Sequence, residues 1–169
     1  MERFILKKLL AWKNSPYRKP LILKGVRQVG KTWILKEFGR RYYENTAYFN
    51  FDENEEYKQF FETTKDVNRI LQNLMLASGQ KIMPEKTLII FDEVQLFPKA
   101  RQAIKHLVHD GRYSYLETGS LISIKKNVKD ILIPSEEMKL EVYPMDYEEF
   151  CDATGNNYGL LQQLSLIHI

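Results

Sequence analysis

The octapeptide Gly25-Val26-Arg27-Gln28-Val29-Gly30-Lys31-Thr32 constrains this chain more than any other stretch. It satisfies G-x-x-x-x-G-K-[ST], a spacing with a mechanical meaning. The two glycines let the backbone curl until successive amide N–H groups point inward at an anion. A helix beginning near Lys31 adds its positive dipole end. Lys31 is expected to reach the β- and γ-phosphates of a nucleotide, and the Thr32 hydroxyl to ligate Mg²⁺. Residues 25–32, with Trp33 just beyond, form the candidate phosphate cradle. The flanks agree. Leu21-Ile22-Leu23-Lys24 reads as a buried strand, and Trp33, Ile34, Leu35 and Phe38 suit the first turns of a helix. The bland alternative is an ordinary glycine-containing strand–helix turn.

A second constellation lies about sixty residues on. Thr87-Leu88-Ile89-Ile90-Phe91 is a continuous apolar run ending in Asp92-Glu93, the pattern of a buried parallel strand with carboxylates at its C-terminal edge. Open α/β sheets bind ligands at that edge. Asp92 is therefore expected to hold Mg²⁺ through its water shell, and Glu93 to take a proton from an attacking water. A third candidate strand, 113–118, runs into Gly119-Ser120. Thr118 and Ser120 there are candidates to bond the γ-phosphate or the lytic water, against the alternative of a simple Gly-Ser turn.

At 169 residues the chain has the length of one domain and enough apolar content, 44%, for a sizeable core. No apolar run approaches the roughly 18–20 residues of a bilayer span, and the N-terminus lacks the plan of a signal peptide. It reads instead as an amphipathic helix with Phe4, Ile5, Leu9, Leu10 and Trp12 on or near one face. The lone cysteine, Cys151, excludes an internal disulfide and suits a reducing, cytoplasmic setting; beside Phe150 it reads as a packing residue. His106 and His109 read as a solvated helix end rather than a zinc pair. Charge is uneven. Residues 1–41 carry twelve Lys or Arg against Glu2 and Glu37. Such a segment fits either a nucleic-acid surface or the neighbourhood of a polyphosphate, and the second reading is preferred because Lys31 and Arg27 already serve it.

The pattern predicts helix 2–13, strand 21–24, helix 30–42, strand 47–51, helices 54–63 and 66–78, strand 87–91, helix 97–108, strands 113–118 and 138–143, and a helix from about 146. Alternation of this kind implies an α/β fold: a five-stranded, mostly parallel sheet flanked by helices.

The motifs GVRQVGKTWILKEFG, LIIFDEVQ, ETGSLISIKKN and VYPMDYEEF, in this order, resemble a large prokaryotic family of AAA-type ATP-binding proteins over about residues 15–155. The resemblance implies a P-loop NTPase fold of the AAA (ASCE) subclass, with ATP and Mg²⁺ as ligands. The family's phosphate loop, Asp-Glu pair and Thr-Gly-Ser stretch carry over to residues 25–32, Asp92 and Glu93, and 118–120. It also implies a second, separately folded part after this domain. Many members have Gly-Arg before the last strand. This chain has Ile-Pro-Ser-Glu-Glu-Met-Lys at 133–139, so no arginine there takes a charge-stabilising role. The expected organisation is an N-terminal helix and linker (1–19), the ATPase domain (20–145) and the start of a truncated region (146–163). The last six residues, 164–169, resemble a translated sequencing adapter. Tyr147, Phe150, Leu160, Leu161 and Leu164 are expected to lack a packing partner.

The resulting expectation is Mg²⁺-dependent ATP hydrolysis, with a self-associating copy or partner protein supplying any arginine finger and no membrane contact. The rival is a nucleotide-dependent switch, or a DNA-associated module, with negligible turnover; a phosphotransferase is a third. No Asn-Lys-x-Asp stretch that would read guanine occurs in the chain.

Overall fold

The computed structural model describes residues 3–120, 137–156, 159–160 and 162–163. Along the chain these form α1 (Ile5–Asn14), β1 (Leu21–Gly25), α2 (Lys31–Tyr42), β2 (Asn45–Asn50), α3 (Glu56–Thr63) and α4 (Val67–Ser78). They continue with β3 (Thr87–Asp92), a 3-10 turn (Val94–Leu96), α5 (Pro98–Asp110), β4 (Ser114–Ser120), β5 (Met138–Glu141) and α6 (Tyr147–Thr154). The strands make one sheet in the order β2-β3-β4-β1-β5, and every neighbouring pair is parallel.

Alternation along each strand distributes the apolar residues between two cores. Ile22, Phe49, Ile89, Phe91 and Tyr115 face α3, α4 and α5, where Phe61, Leu74 and Ile104 meet them. Leu21, Leu23, Leu88, Ile90 and Leu116 face the other way, onto Leu6, Leu9 and Trp12 of α1 and Ile34, Leu35 and Phe38 of α2. Both faces being covered, β3 is buried along its whole length, as its unbroken apolar run requires.

Local signals set the element ends. Asp66 caps α4 by accepting from Arg69 N at 3.2 Å, and Gly79 ends it in the left-handed region at φ 66°. Asp146 caps α6 in the same way, accepting from Glu149 N at 2.8 Å.

The expected elements are present, with shifted ends. Strand β2 begins at Asn45 rather than 47, because Asn45 already pairs with Thr87. Strand β4 reaches Ser120 because it stays in register with β1 as far as Gly25. Helix α1 starts at Ile5, and the amide of Phe4, which precedes it, donates to Glu149 Oε1 at 2.8 Å. Cys151 is buried, whereas Tyr147, Phe150 and Leu160 are exposed. Leu161 and residues 164–169 lie outside the described residues.

Candidate nucleotide-binding site

The order of the sheet creates the site. β1, which delivers the candidate phosphate loop, and β3, which delivers Asp92, are separated by β4. The C-terminal ends of three parallel strands therefore converge on the start of α2, at the edge where such sheets bind ligands. In the loop, Gln28 and Gly30 adopt positive φ, 62° and 91°, which turns the chain sharply before α2 begins at Lys31. Gly25 is needed for a different reason. A Cβ there would lie 2.5 Å from the Val142 carbonyl oxygen, so the backbone following β5 can approach the loop only because that side chain is absent.

Lys31 is buried, and its Nζ donates to the loop's own carbonyls, Gly25 O at 3.1 Å and Val26 O at 2.8 Å. Burial pushes its ammonium below the ordinary lysine range; Glu93 and Asp92 pull it back up, and Arg27 adds to the lowering. Val26, Arg27 and Gln28 are exposed on the loop, Val29 is buried beneath it, and Trp33 is exposed on the first turn of α2.

Asp92, only 2% exposed, is the hub. Its Oδ2 accepts from Thr32 Oγ1 at 2.7 Å and from Tyr48 OH at 2.5 Å. Its Oδ1 accepts from Thr118 Oγ1 and from the Glu93 amide, the latter at 3.1 Å. The Glu93 amide also donates to Thr118 Oγ1 at 3.2 Å. Thr118 is thus fully buried between Asp92 and Glu93, while Ser120 ends β4 opposite Gly25. Glu93 leaves β3 in the left-handed region at φ 56°, which turns the chain out of the sheet immediately beyond Asp92. The Thr32 hydroxyl and the Asp92 carboxylate are hard oxygen donors already within hydrogen-bond distance of each other. Such a pair fits Mg²⁺, which prefers oxygen and keeps much of its water.

Two features were not read from the sequence. The first is Tyr48. Its signal lay in the alternation of β2, where Ala47 and Phe49 enter one core and Tyr48 points to the opposite face, toward α2. Burial raises its phenol pKa, and the bond to Asp92 raises it further. The second is a buried ion pair, Arg3 Nε to Glu149 Oε1 at 3.1 Å, with both side chains 7% exposed. Arg3 also donates to Tyr143 O at 2.8 Å, and its guanidinium lies 3.8 Å from where a Cβ on Gly30 would be. No local pattern announces a contact between residues 146 positions apart.

Together, the all-parallel sheet with a strand inserted between the loop strand and the Asp-Glu strand defines a P-loop domain of the AAA type. The sequence profile described as the AAA domain matches residues 17–151, and the chain belongs to that family, a family of ATP-binding, ATPase-type domains. Among curated proteins none matches the chain. Several solved structures share the fold. The Aeropyrum pernix ORC1 protein in complex with DNA is 15% identical, with a TM-score of 0.51 over 88% of this chain and 45% of that one. AMPPCP-bound DnaA from Aquifex aeolicus is 17% identical, with a TM-score of 0.54 over 89% of this chain and 48% of that one. Hsp104 in its closed state with ATPγS and casein is 16% identical, with a TM-score of 0.58 over 88% of this chain and 28% of that one. The chain spans less than half the length of each. Among the described residues no helix is long and apolar enough to cross a membrane.

Proposed function

We propose that this domain binds ATP with Mg²⁺ and hydrolyses it, as the ATPase module of a larger AAA-type protein. The observation that carries the reading is the Thr32–Asp92 bond at 2.7 Å, beside a loop whose Lys31 is held on its own carbonyls. Lys31 exchanges those two carbonyls for the β- and γ-phosphate oxygens, a charge-assisted contact in place of neutral ones. The loop amides and the N-terminus of α2 hold the remaining phosphate charge. Thr32 and Asp92 would hold the metal, and the chemistry it would supply there is neutralisation of charge on the phosphate oxygens.

Glu93 serves as the base that orients and deprotonates water. Its backbone amide is fixed by Asp92 and Thr118, so the side chain starts from a defined point beside the metal site. Thr118 acts by fixing Asp92 and Glu93, and Ser120, at the same strand end, is assigned to the γ-phosphate side. The base of the nucleotide is assigned to the cavity of about 280 Å³ beside the loop, whose walls include Phe4, Val142, Tyr143 and Pro144. Arg3 is tied to Glu149 and Tyr143. A neighbouring copy or partner is assigned any arginine that stabilises the leaving charge.

Isothermal titration of ATP into the full chain, with Mg²⁺ and with EDTA, tests this reading. Saturable binding that tightens with Mg²⁺, together with release of phosphate, supports it. A chain that takes up no nucleotide under either condition overturns it.

A further inference from the structure

Tyr48 belongs to none of the motifs that announce the site, yet its hydroxyl shares Asp92 Oδ2 with Thr32. Its position is set from three sides. β2 is an edge strand, bonded on one side to β3. On its open side the Gln80 side chain stands in for a neighbouring strand: Tyr48 N donates to Gln80 Oε1 at 2.8 Å and Gln80 Nε2 donates to Tyr48 O at 2.9 Å. Above the ring, Lys36 Nζ of α2 lies 3.8 Å from the centroid, within cation–π range.

The bonds to Asp92 divide the work. Oδ1 is held by Thr118 from β4 and by the backbone at Glu93. Among the described residues Oδ2, the oxygen beside Thr32, has two donors, and one of them, Thr32, is itself a candidate metal ligand. Among the described residues, Tyr48 is the donor to that oxygen from outside the candidate metal ligands. We propose that Tyr48 is a positioning residue for the metal site: its hydroxyl fixes the rotation of the Asp92 carboxylate so that Oδ2 stays aligned with Thr32. The inference rests on the ATP–Mg²⁺ reading above. Outer partners of this kind tune metal affinity because a ligand group free to rotate must be ordered when the metal binds. A phenylalanine would fill the same volume under Lys36 and against β3, so packing alone does not need the hydroxyl.

The test compares the full chain with its Tyr48→Phe and Lys36→Met variants. Each is titrated with ADP in Mg²⁺ and again in EDTA, so that the ratio of the two affinities isolates the metal's contribution. Tyr48→Phe is expected to weaken binding in Mg²⁺ by roughly tenfold, the lower end of what lost outer partners cost, and to leave binding in EDTA unchanged. Lys36→Met keeps the hydroxyl and is expected to keep the wild-type ratio. An unchanged ratio in Tyr48→Phe overturns the inference, as does a tighter one or an equal loss under both conditions. A Lys36→Met ratio that falls as far as that of Tyr48→Phe overturns it too, since ring packing then explains the effect. Wild-type chain that binds ADP normally while Tyr48→Phe matches it removes only the Tyr48 role. Wild-type chain that binds no nucleotide removes the ATP reading and the Tyr48 role together.

Discussion

The Thr32 hydroxyl donates to Asp92 Oδ2 at 2.7 Å across 60 residues of sequence, joining the first turn of α2 to the end of β3. The bond brings the two halves of the site into register. It depends on β4 lying between β1 and β3, because Thr118 on β4 grips the opposite carboxylate oxygen. Asp92 is consequently held by side chains from α2, β2 and β4 as well as by the adjoining backbone.

Glu93→Gln separates binding from chemistry. The amide keeps the shape of the side chain and the backbone bonds to Asp92 and Thr118, but it loses the basic oxygen. Nucleotide affinity is expected to hold while turnover falls by roughly two to four orders of magnitude, the range for a lost general base. Parallel titration and phosphate-release assays read the two quantities. Affinity lost in step with turnover would make Glu93 a metal-holding or structural residue instead.

Glu149→Ala strips the partner from Arg3, leaving a buried guanidinium whose remaining described bond is to Tyr143 O. Breaking a buried pair from one side costs about 3–5 kcal/mol. The loss is expected in thermal melts, and amide exchange should accelerate in the segment before α1 and in the first turn of α6, because Glu149 also accepts from the Phe4 amide. A variant within about 1 kcal/mol of wild type would mean that the pair is dispensable to the docking of α6.

How far the chain could be read in advance varied with the range of the interaction. Strand β3 declared itself because a strand buried on both faces must be apolar throughout, and α4 because Asp66 and Gly79 punctuate it. Residues 25–32 and Asp92 stood out as candidates because the chemistry proposed for them demands fixed residue types at fixed spacing, and the fold brings Thr32 and Asp92 together. Tyr48 was not, since a tyrosine in an alternating strand satisfies packing equally well and only the tertiary fold brings it to Asp92. Arg3 lies in the basic N-terminal segment and Glu149 in the helix expected from about 146, and their pairing follows from β5 delivering α6 beside the loop. The left-handed turn at Glu93 carries no glycine to announce it.

Glu37 offers a pH readout away from the site. Hydrogen bonds from Arg40 and Arg41 hold its carboxyl down from an ordinary 4.5 to about 2. A depressed folded-state value means that the contribution is fully present above pH 4.5 and is lost as pH falls toward 2. Solvent screens this helix-surface cluster, so its worth is only about 0.5 kcal/mol. Glu37→Gln is therefore expected to melt about 1–2 °C below wild type at neutral pH, with the gap closing as pH drops below the ordinary carboxylate value. A gap that widens on acidification would contradict the assignment.

The most direct measurement of the central claim is the affinity of the full chain for ATP in Mg²⁺, compared with that of Lys31→Ala. Lys31 spends its ammonium on Gly25 O and Val26 O, both in the loop it is expected to serve, so its removal should leave the cores untouched. The account expects saturable binding by the wild type, no measurable binding by the variant, and matching circular dichroism and melting curves. Equal affinity in the two proteins, with both folded, would contradict the assignment of residues 25–32 as the phosphate site.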